Sequence, residues 1–352
     1  LVPIAPTWRL TANLGELDPA GVFRAQQAGQ GRIRAEVDTR PVVAEIPVEV
    51  VPAALHRIEV QPQTLTLSAG EELPFTATGS DAFGNTIPIT PRWELTAALG
   101  TISATGTFVA RRVGAALVQA WVDQLSGQAS VLVKPSTLTS LTIAPAGPLS
   151  LTAGDATTLA VSGYDAYGNT VAVSPTWSQT APLGTLSPDG SFRAEKVGRT
   201  ALVVQSNGQS AAVQVTITPG KLTRMAISPA DVALRAGDTL RFQTTGFDAY
   251  ENEVEVQPTW RVVNDIGEIS PTGEFTAMQA QTGQVVATAA GIAGQAQVTV
   301  HPGPLTLLKV TPEDLRLRAG EAAEMGVVGY DTFGNVVPVQ PVWQVTAGMG
   351  SI

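Results

Sequence analysis

Hydrophobic and polar positions alternate along most of this chain in short runs, broken every few residues by Gly, Pro, Asn or Asp. Between residues 137 and 220, "LTSLTIAP" places Leu141 and Ile143 on one face, a period-two strand. "LSLTAGD" is a second short strand ending in a turn, and "TLAVSGYD" is a third that "DAYGN" turns back. "TVAVSPTWSQ" is a fourth, with Pro175 marking a break or bulge. "GTLSPDGSFRA" reads as two strands joined by a tight S-P-D-G turn, with Gly190 suited to positive φ. "TALVVQS" and "SAAVQVTI" close the stretch through Asn207-Gly208. No helical period appears, and the pattern predicts about seven or eight strands per stretch of this kind.

The same sentence recurs. P-x-W tryptophans stand at Trp8, Trp93, Trp177, Trp260 and Trp343, at spacings of 85, 84, 83 and 83 residues. The A-G-[DE] glycines, Gly70, Gly154, Gly237 and Gly320, follow at spacings of 84, 83 and 83. Two independent landmarks share one period of about 84, the signature of a repeat architecture. The expected fold is all-β: tandem immunoglobulin-like β-sandwiches arranged as an extended rod. The expected divisions are a partial repeat at 1–53, whole repeats at 54–136, 137–220 and 221–303, and a partial repeat at 304–352. Short Pro-containing linkers near Pro52, Pro135, Pro219 and Pro302 resist free bending. The recurring tryptophans are the expected structural core, since a buried indole covers roughly 150–250 Å². At about 25 cal/mol per Å² that is on the order of 4–6 kcal/mol of gross transfer energy.

Composition narrows the function. The 352 residues are 44% hydrophobic and 14% charged, enough for packed cores, and the apolar runs are too short to cross a bilayer. With no cysteine, disulfides, thiol chemistry and Cys-based zinc sites are excluded. A net charge of −9 with scattered Lys and Arg argues against a nucleic-acid partner.

Candidate sites are few. The D-x-x-G-N turns could offer calcium Asp81 and Asn85, Asp165 and Asn169, or Asp331 and Asn335, but only one carboxylate recurs per turn and calcium takes six to eight oxygens. The competing reading is an Asx turn closing a hairpin. The other such turn carries Glu251 where Gly84, Gly168 and Gly334 stand elsewhere. His56 and His301 have no recurring carboxylate or serine beside them, so no catalytic residue and no cofactor are expected. Trp121 lies outside the repeated pattern, on the outward face of "AALVQAWVD". It is either a contact for a neighbouring subunit or sugar, or packed under a local loop. Counted from the preceding glycine, its equivalents are Glu36, Gln205 and Ala290.

The motif carried by Gly163, Asp165, Gly168, Asn169, Trp177, Gly184, Gly190, Phe192 and Ala194 resembles the bacterial immunoglobulin-like (Big) repeats of cell-surface and secreted proteins. That resemblance implies an extracellular or surface location and a structural role in a fibre, stalk or surface layer. The alternatives it leaves are an adhesin stalk and a non-catalytic spacer of a secreted polysaccharide-active enzyme. Expected partners are neighbouring repeats, further copies and surface polysaccharide, with no membrane insertion. Residues 1–17 match 336–352 in register. Two expectations follow: the sequence is a window on a longer repeat chain, or its half-repeats are completed by another molecule.

Overall fold

A computed structural model describes residues 5–37, 42–346 and 351. All regular structure among them is β-strand. The chain forms two compact units: Leu1–Ile143 with Val161–Pro175 and Gln205–Ala211, and Ala144–Ala160 with Thr176–Val204 and Ala212–Ile352.

In the first unit, residues 54–136 form a mostly antiparallel sandwich. One sheet orders Arg57–Gln61, Thr76–Ser80 and Thr86–Ile87 side by side. The facing sheet runs Arg92–Leu95, Gly114–Val122, Leu125–Lys134 and Thr64–Ser68, with the last pair parallel. A third, small sheet of Gly100–Ile102, Thr107–Ala110 and Glu72–Pro74 closes one side. Period-two alternation explains the layering. Leu125–Lys134 buries every second residue from Gly127 to Val133, and Val118 and Ala120 are fully buried beside it. Gly127 permits a close approach of the facing sheet, because a Cβ there would meet the Ile58 carbonyl oxygen at 2.5 Å.

In the second unit, residues 221–303 repeat this plan strand for strand, including the parallel pairing of Asp231–Arg235 with Ile292–His301. Between residues 137 and 220 the strands have the same order. The sheet of Ser140–Ala144, Ala160–Tyr164 and Thr170–Val171 lies almost wholly in the first unit, and the remaining strands lie mostly in the second. Residues 5–50 carry the counterparts of the later strands of a repeat, and residues 307–337 counterparts of earlier ones.

Several local expectations are met with their chemistry. Gly190 has φ +84°, while Asn207 and Gly208 have φ +47° and +78°, the twist a two-residue hairpin turn requires. The expected strand "TVAVSPTWSQ" divides in two: Thr170–Val171 belongs to one sheet and Thr176–Gln179 to another, with Pro175 immediately before the second piece.

The core differs from the expectation in its centre. Trp8, Trp93, Trp177 and Trp260 are half-buried, and Trp343 is 36% exposed. The fully buried aromatics are Phe75, Phe108, Phe192, Phe242 and Phe275. The indoles cover the edge of this core, tilted on Phe75 and Phe242 with ring centroids 6.5 Å apart. Trp8, Trp93, Trp177 and Trp260 each also lie against a turn glycine, Gly21, Gly106, Gly190 and Gly273. At Gly106, with φ +87°, a Cβ would come within 2.9 Å of the Trp93 ring. A phenyl ring has no polar atom and so can occupy the dry centre. An indole N–H needs an outlet, which holds the tryptophan at the rim.

The depth order predicts the mutational order. Phe275→Ala should cost about 3–5 kcal/mol, and Trp260→Ala should cost clearly less, because its ring already meets solvent. Urea unfolding of the two variants checks this, and a larger loss for Trp260→Ala would reverse the assignment.

Candidate functional site

The most connected polar groups in the protein are the aspartates and asparagines of the D-x-x-x-N turns. Asp81, Asp165, Asp248 and Asp331 are 2–5% exposed, which is rare for carboxylates without a compensating partner. Asp81 shows how they are compensated. Its Oδ1 accepts the N–H groups of Phe83 at 2.9 Å and Asn85 at 2.8 Å, closing the Asx turn. Its Oδ2 accepts the N–H of Ala53 in the linker at 2.8 Å and the Asn85 amide at 2.7 Å.

Asn85 then reaches out of its own repeat. Its Oδ1 accepts the Ala28 N–H at 2.7 Å, and its Nδ2 donates to the Gln26 carbonyl at 2.8 Å. The arrangement recurs atom for atom. Asn169 accepts from Val113 at 3.0 Å and donates to Arg111 at 2.8 Å, while Asp165 holds the N–H of Ser136. Asn252 accepts from Val197 at 3.0 Å and donates to Glu195 at 2.7 Å, with Asp248 on Gly220. Asn335 bonds Ala280 and Met278, both at 2.7 Å, with Asp331 on Gly303. Each turn is thus a clamp, its asparagine gripping a loop of the preceding repeat while its aspartate grips the linker. Each of the four contact sets lies within one of the two units.

Apolar contacts flank the clamps. A Cβ on Gly70 would fall within 2.4 Å of the Tyr167 hydroxyl, and the nearest neighbours of Gly154 and Gly237 are Tyr250 and Phe333. The A-G-[DE] glycine of one repeat therefore faces the aromatic of the next clamp turn. Gly84, Gly168 and Gly334 take φ of +85°, +80° and +82°, and Glu251 takes +60° in the third turn. A non-glycine residue in this region carries strain of about 1–2 kcal/mol. Here the Glu251 carboxylate pairs with Arg224, whose guanidinium lies 4.1 Å from the Phe247 ring centre.

The electrostatics follow from the bonds. Burial pushes the Asp81 carboxyl up, but the Asn85 amide and the N–H groups of Ala53, Asn85 and Phe83 together outweigh it and hold the pKa at about 2. Asp165, Asp248 and Asp331 are lowered by the same opposition of burial and hydrogen bonds. The calcium candidates Asp81, Asn85, Asp165, Asn169, Asp331 and Asn335 thus have their oxygens facing N–H donors, the wrong polarity for a cation. No group of three or more His, Cys, Asp or Glu able to hold a metal occurs among the described residues.

The other candidates are not brought together. His56 and His301 are exposed, His56 just before the strand Arg57–Gln61 and His301 at the end of the strand Ile292–His301. Trp121 lies on the outer face of its sheet, paired in register with Arg92 and Ser126, yet it is half-buried, and its indole Nε1 is buried without a hydrogen-bond partner. Register also corrects one equivalence. Trp93 pairs Ala120 and Trp260 pairs Ala287, so the counterpart of Trp121 is Thr288, not Ala290. Gln281 occupies the place of the strand-opening glycine in that repeat, so counting from Gly283 moves the alignment by two residues.

No family model matches the chain. It is 22% identical over 332 residues to ice-binding protein 1 of Shewanella frigidimarina (strain NCIMB 400), a match covering 92% of this chain. The chain spans 37% of the length of that curated relative. Among solved structures it aligns with Drosophila N-cadherin EC1-4 at 11% identity and TM-score 0.35, covering 86% of this chain and 93% of that one. It aligns with invasin, a bacterial integrin-binding protein, at 16% and 0.39, covering 85% and 72%. With domains 1–6 of surface layer protein SbsC the values are 16% and 0.27, covering 95% and 54%. At these scores the alignments carry no functional argument, and the sandwich assignment stands on the strand pairing itself.

Two outcomes are expected. Asn252→Ala leaves the Val197 N–H and the Glu195 carbonyl without their partner and should cost that junction about 1–3 kcal/mol, read as faster amide exchange at Val197 with the cores unchanged. The folded carboxyls lie below their ordinary value of 3.8, so their contribution is complete above about pH 4 and is lost as pH falls through their lowered values, which for Asp81 is about 2. Amide exchange at Ala28 and Val197 should therefore accelerate in that window and stay flat in its pH-corrected rate between pH 5 and 8.

Proposed function

We propose that this chain is a structural or adhesin-like extracellular protein, a fibre, stalk or surface-layer component of the bacterial immunoglobulin-like (Big) type. Its work is to hold successive sandwiches in a set geometry. The observation that carries this reading is the fourfold recurrence of the Asp–Asn clamp with the same atoms and partners. A chain of independently acting modules has no use for a buried carboxylate and amide at every junction. A chain that bears load does, because three bonds per junction remove the freedom a short linker would otherwise keep.

The bacterial relative and the absence of cysteine fit a secreted chain held by packing and hydrogen bonds. No helix among the described residues is long and apolar enough to cross a membrane. The polypeptide is non-catalytic and takes no cofactor on this reading, with neighbouring repeats and other copies as partners. Surface polysaccharide is a further partner to test.

Because the protein has no cysteine, two introduced thiols are the only labels. Spin labels at Ser126→Cys and Ser210→Cys, both exposed and at equivalent places in neighbouring repeats, report the 113/169 junction. A narrow distance distribution, unchanged by chelator and broadened by Asn169→Ala, is expected. A broad distribution in the parent would show a flexible string and remove the load-bearing reading. Protease treatment of intact source cells checks location, and a protein protected until lysis would contradict it.

A further inference from the structure

The repeats are not equally built. Five interior positions of residues 137–220 are more polar or smaller than their counterparts in 54–136 and 221–303. Gln179 stands for Leu95 and Val262, and Thr157 for Leu73 and Leu240. Ser206 stands for Val122 and Ala289, and Thr200 for Ala116 and Gly283. Leu159 replaces the buried Phe75 and Phe242, so Trp177 lacks the phenyl partner that Trp93 and Trp260 have.

The hydroxyls of Thr200 and Ser206 are satisfied. Thr200 donates to the Ala181 carbonyl at 3.0 Å, and Ser206 accepts the Ser174 N–H at 3.2 Å. Gln179 is not. Its Nε2 donates to the Gly184 carbonyl at 2.8 Å, but its Oε1 is buried without a partner. Larger aliphatic residues elsewhere, such as Leu202 for Val118 and Ile217 for Val133, restore volume. They do not supply a donor to that oxygen. An acceptor stripped of water and left unpaired is a direct cost to the folded state, and it is released when the strand Thr176–Gln179 leaves its neighbour.

We infer that residues 137–220 are the built-in release point of the chain, the repeat that opens first. Opened, they add roughly 250–300 Å of extended polypeptide at about 3.3–3.6 Å per residue. That limits the tension on the clamps at either side. The role under tension rests on the load-bearing reading above, whereas the order of opening does not.

Hydrogen exchange on residues 1–352 in mild urea tests the order alone. Amides of Thr176–Gln179 and Gly198–Ser206 should exchange faster than those of Arg92–Leu95 and Gly114–Val122, or of Thr259–Val263 and Thr282–Ala289. Gln179→Leu, which installs the residue found at position 95, should slow that exchange roughly 10- to 100-fold and leave the other repeats unchanged. Leu95→Gln should move residues 54–136 to the front of the order. The inference is overturned if residues 137–220 exchange no faster than their counterparts, or if Gln179→Leu leaves their rate unchanged. If Gln179→Leu does not fold, the order in the parent and in Leu95→Gln decides alone.

Discussion

A buried aspartate carboxylate that accepts from a neighbouring asparagine, from its own turn and from the linker is the arrangement on which the junctions depend. Removing it from water is unfavourable in itself. It is stable because its donors are fixed by the turn and arrive at 2.7–2.9 Å around Asp81. The carboxylate in turn orients Asn85, whose amide is left with one acceptor and one donor facing outward at a fixed angle. Those two groups match one N–H and one carbonyl two residues apart on the preceding repeat.

The clamp therefore reads backbone and not side chains. The residues gripped through their carbonyls, Gln26, Arg111, Glu195 and Met278, have no chemistry in common, whereas those gripped through their N–H groups, Ala28, Val113, Val197 and Ala280, are all Ala or Val. Surface residues are then free to differ along the chain while the junction geometry stays the same. Glu251 is the exception that shows the constraint: a side chain at a glycine position is held there by Arg224, itself laid against Phe247.

Within each repeat a second division of labour holds. Phenylalanines fill the dry centre and tryptophans cover its rim against the turn glycines. Since the rim residue recurs at every period and the centre differs, with Leu159 in place of phenylalanine and Gln179 in place of an aliphatic residue, repeats of one outline differ in firmness.

The amino-acid sequence by itself determined what is local. Alternation at period two assigned the strands, Gly190 and Asn207-Gly208 marked turns that need positive φ, and the period of about 84 residues between tryptophans announced the repeats. It also identified the Asp and Asn of three of the turns, Asp81 and Asn85, Asp165 and Asn169, and Asp331 and Asn335, but as calcium candidates or a closed hairpin corner. That Asn85 grips Gln26 and Ala28, and that phenylalanine lies deeper than tryptophan, were decided only by tertiary structure. The physical reason is range. Side-chain alternation and turn torsions are set by neighbours one to four residues away, whereas the asparagine bonds of the clamps join residues 55–59 apart, and depth in a core is a property of two sheets meeting rather than of either strand.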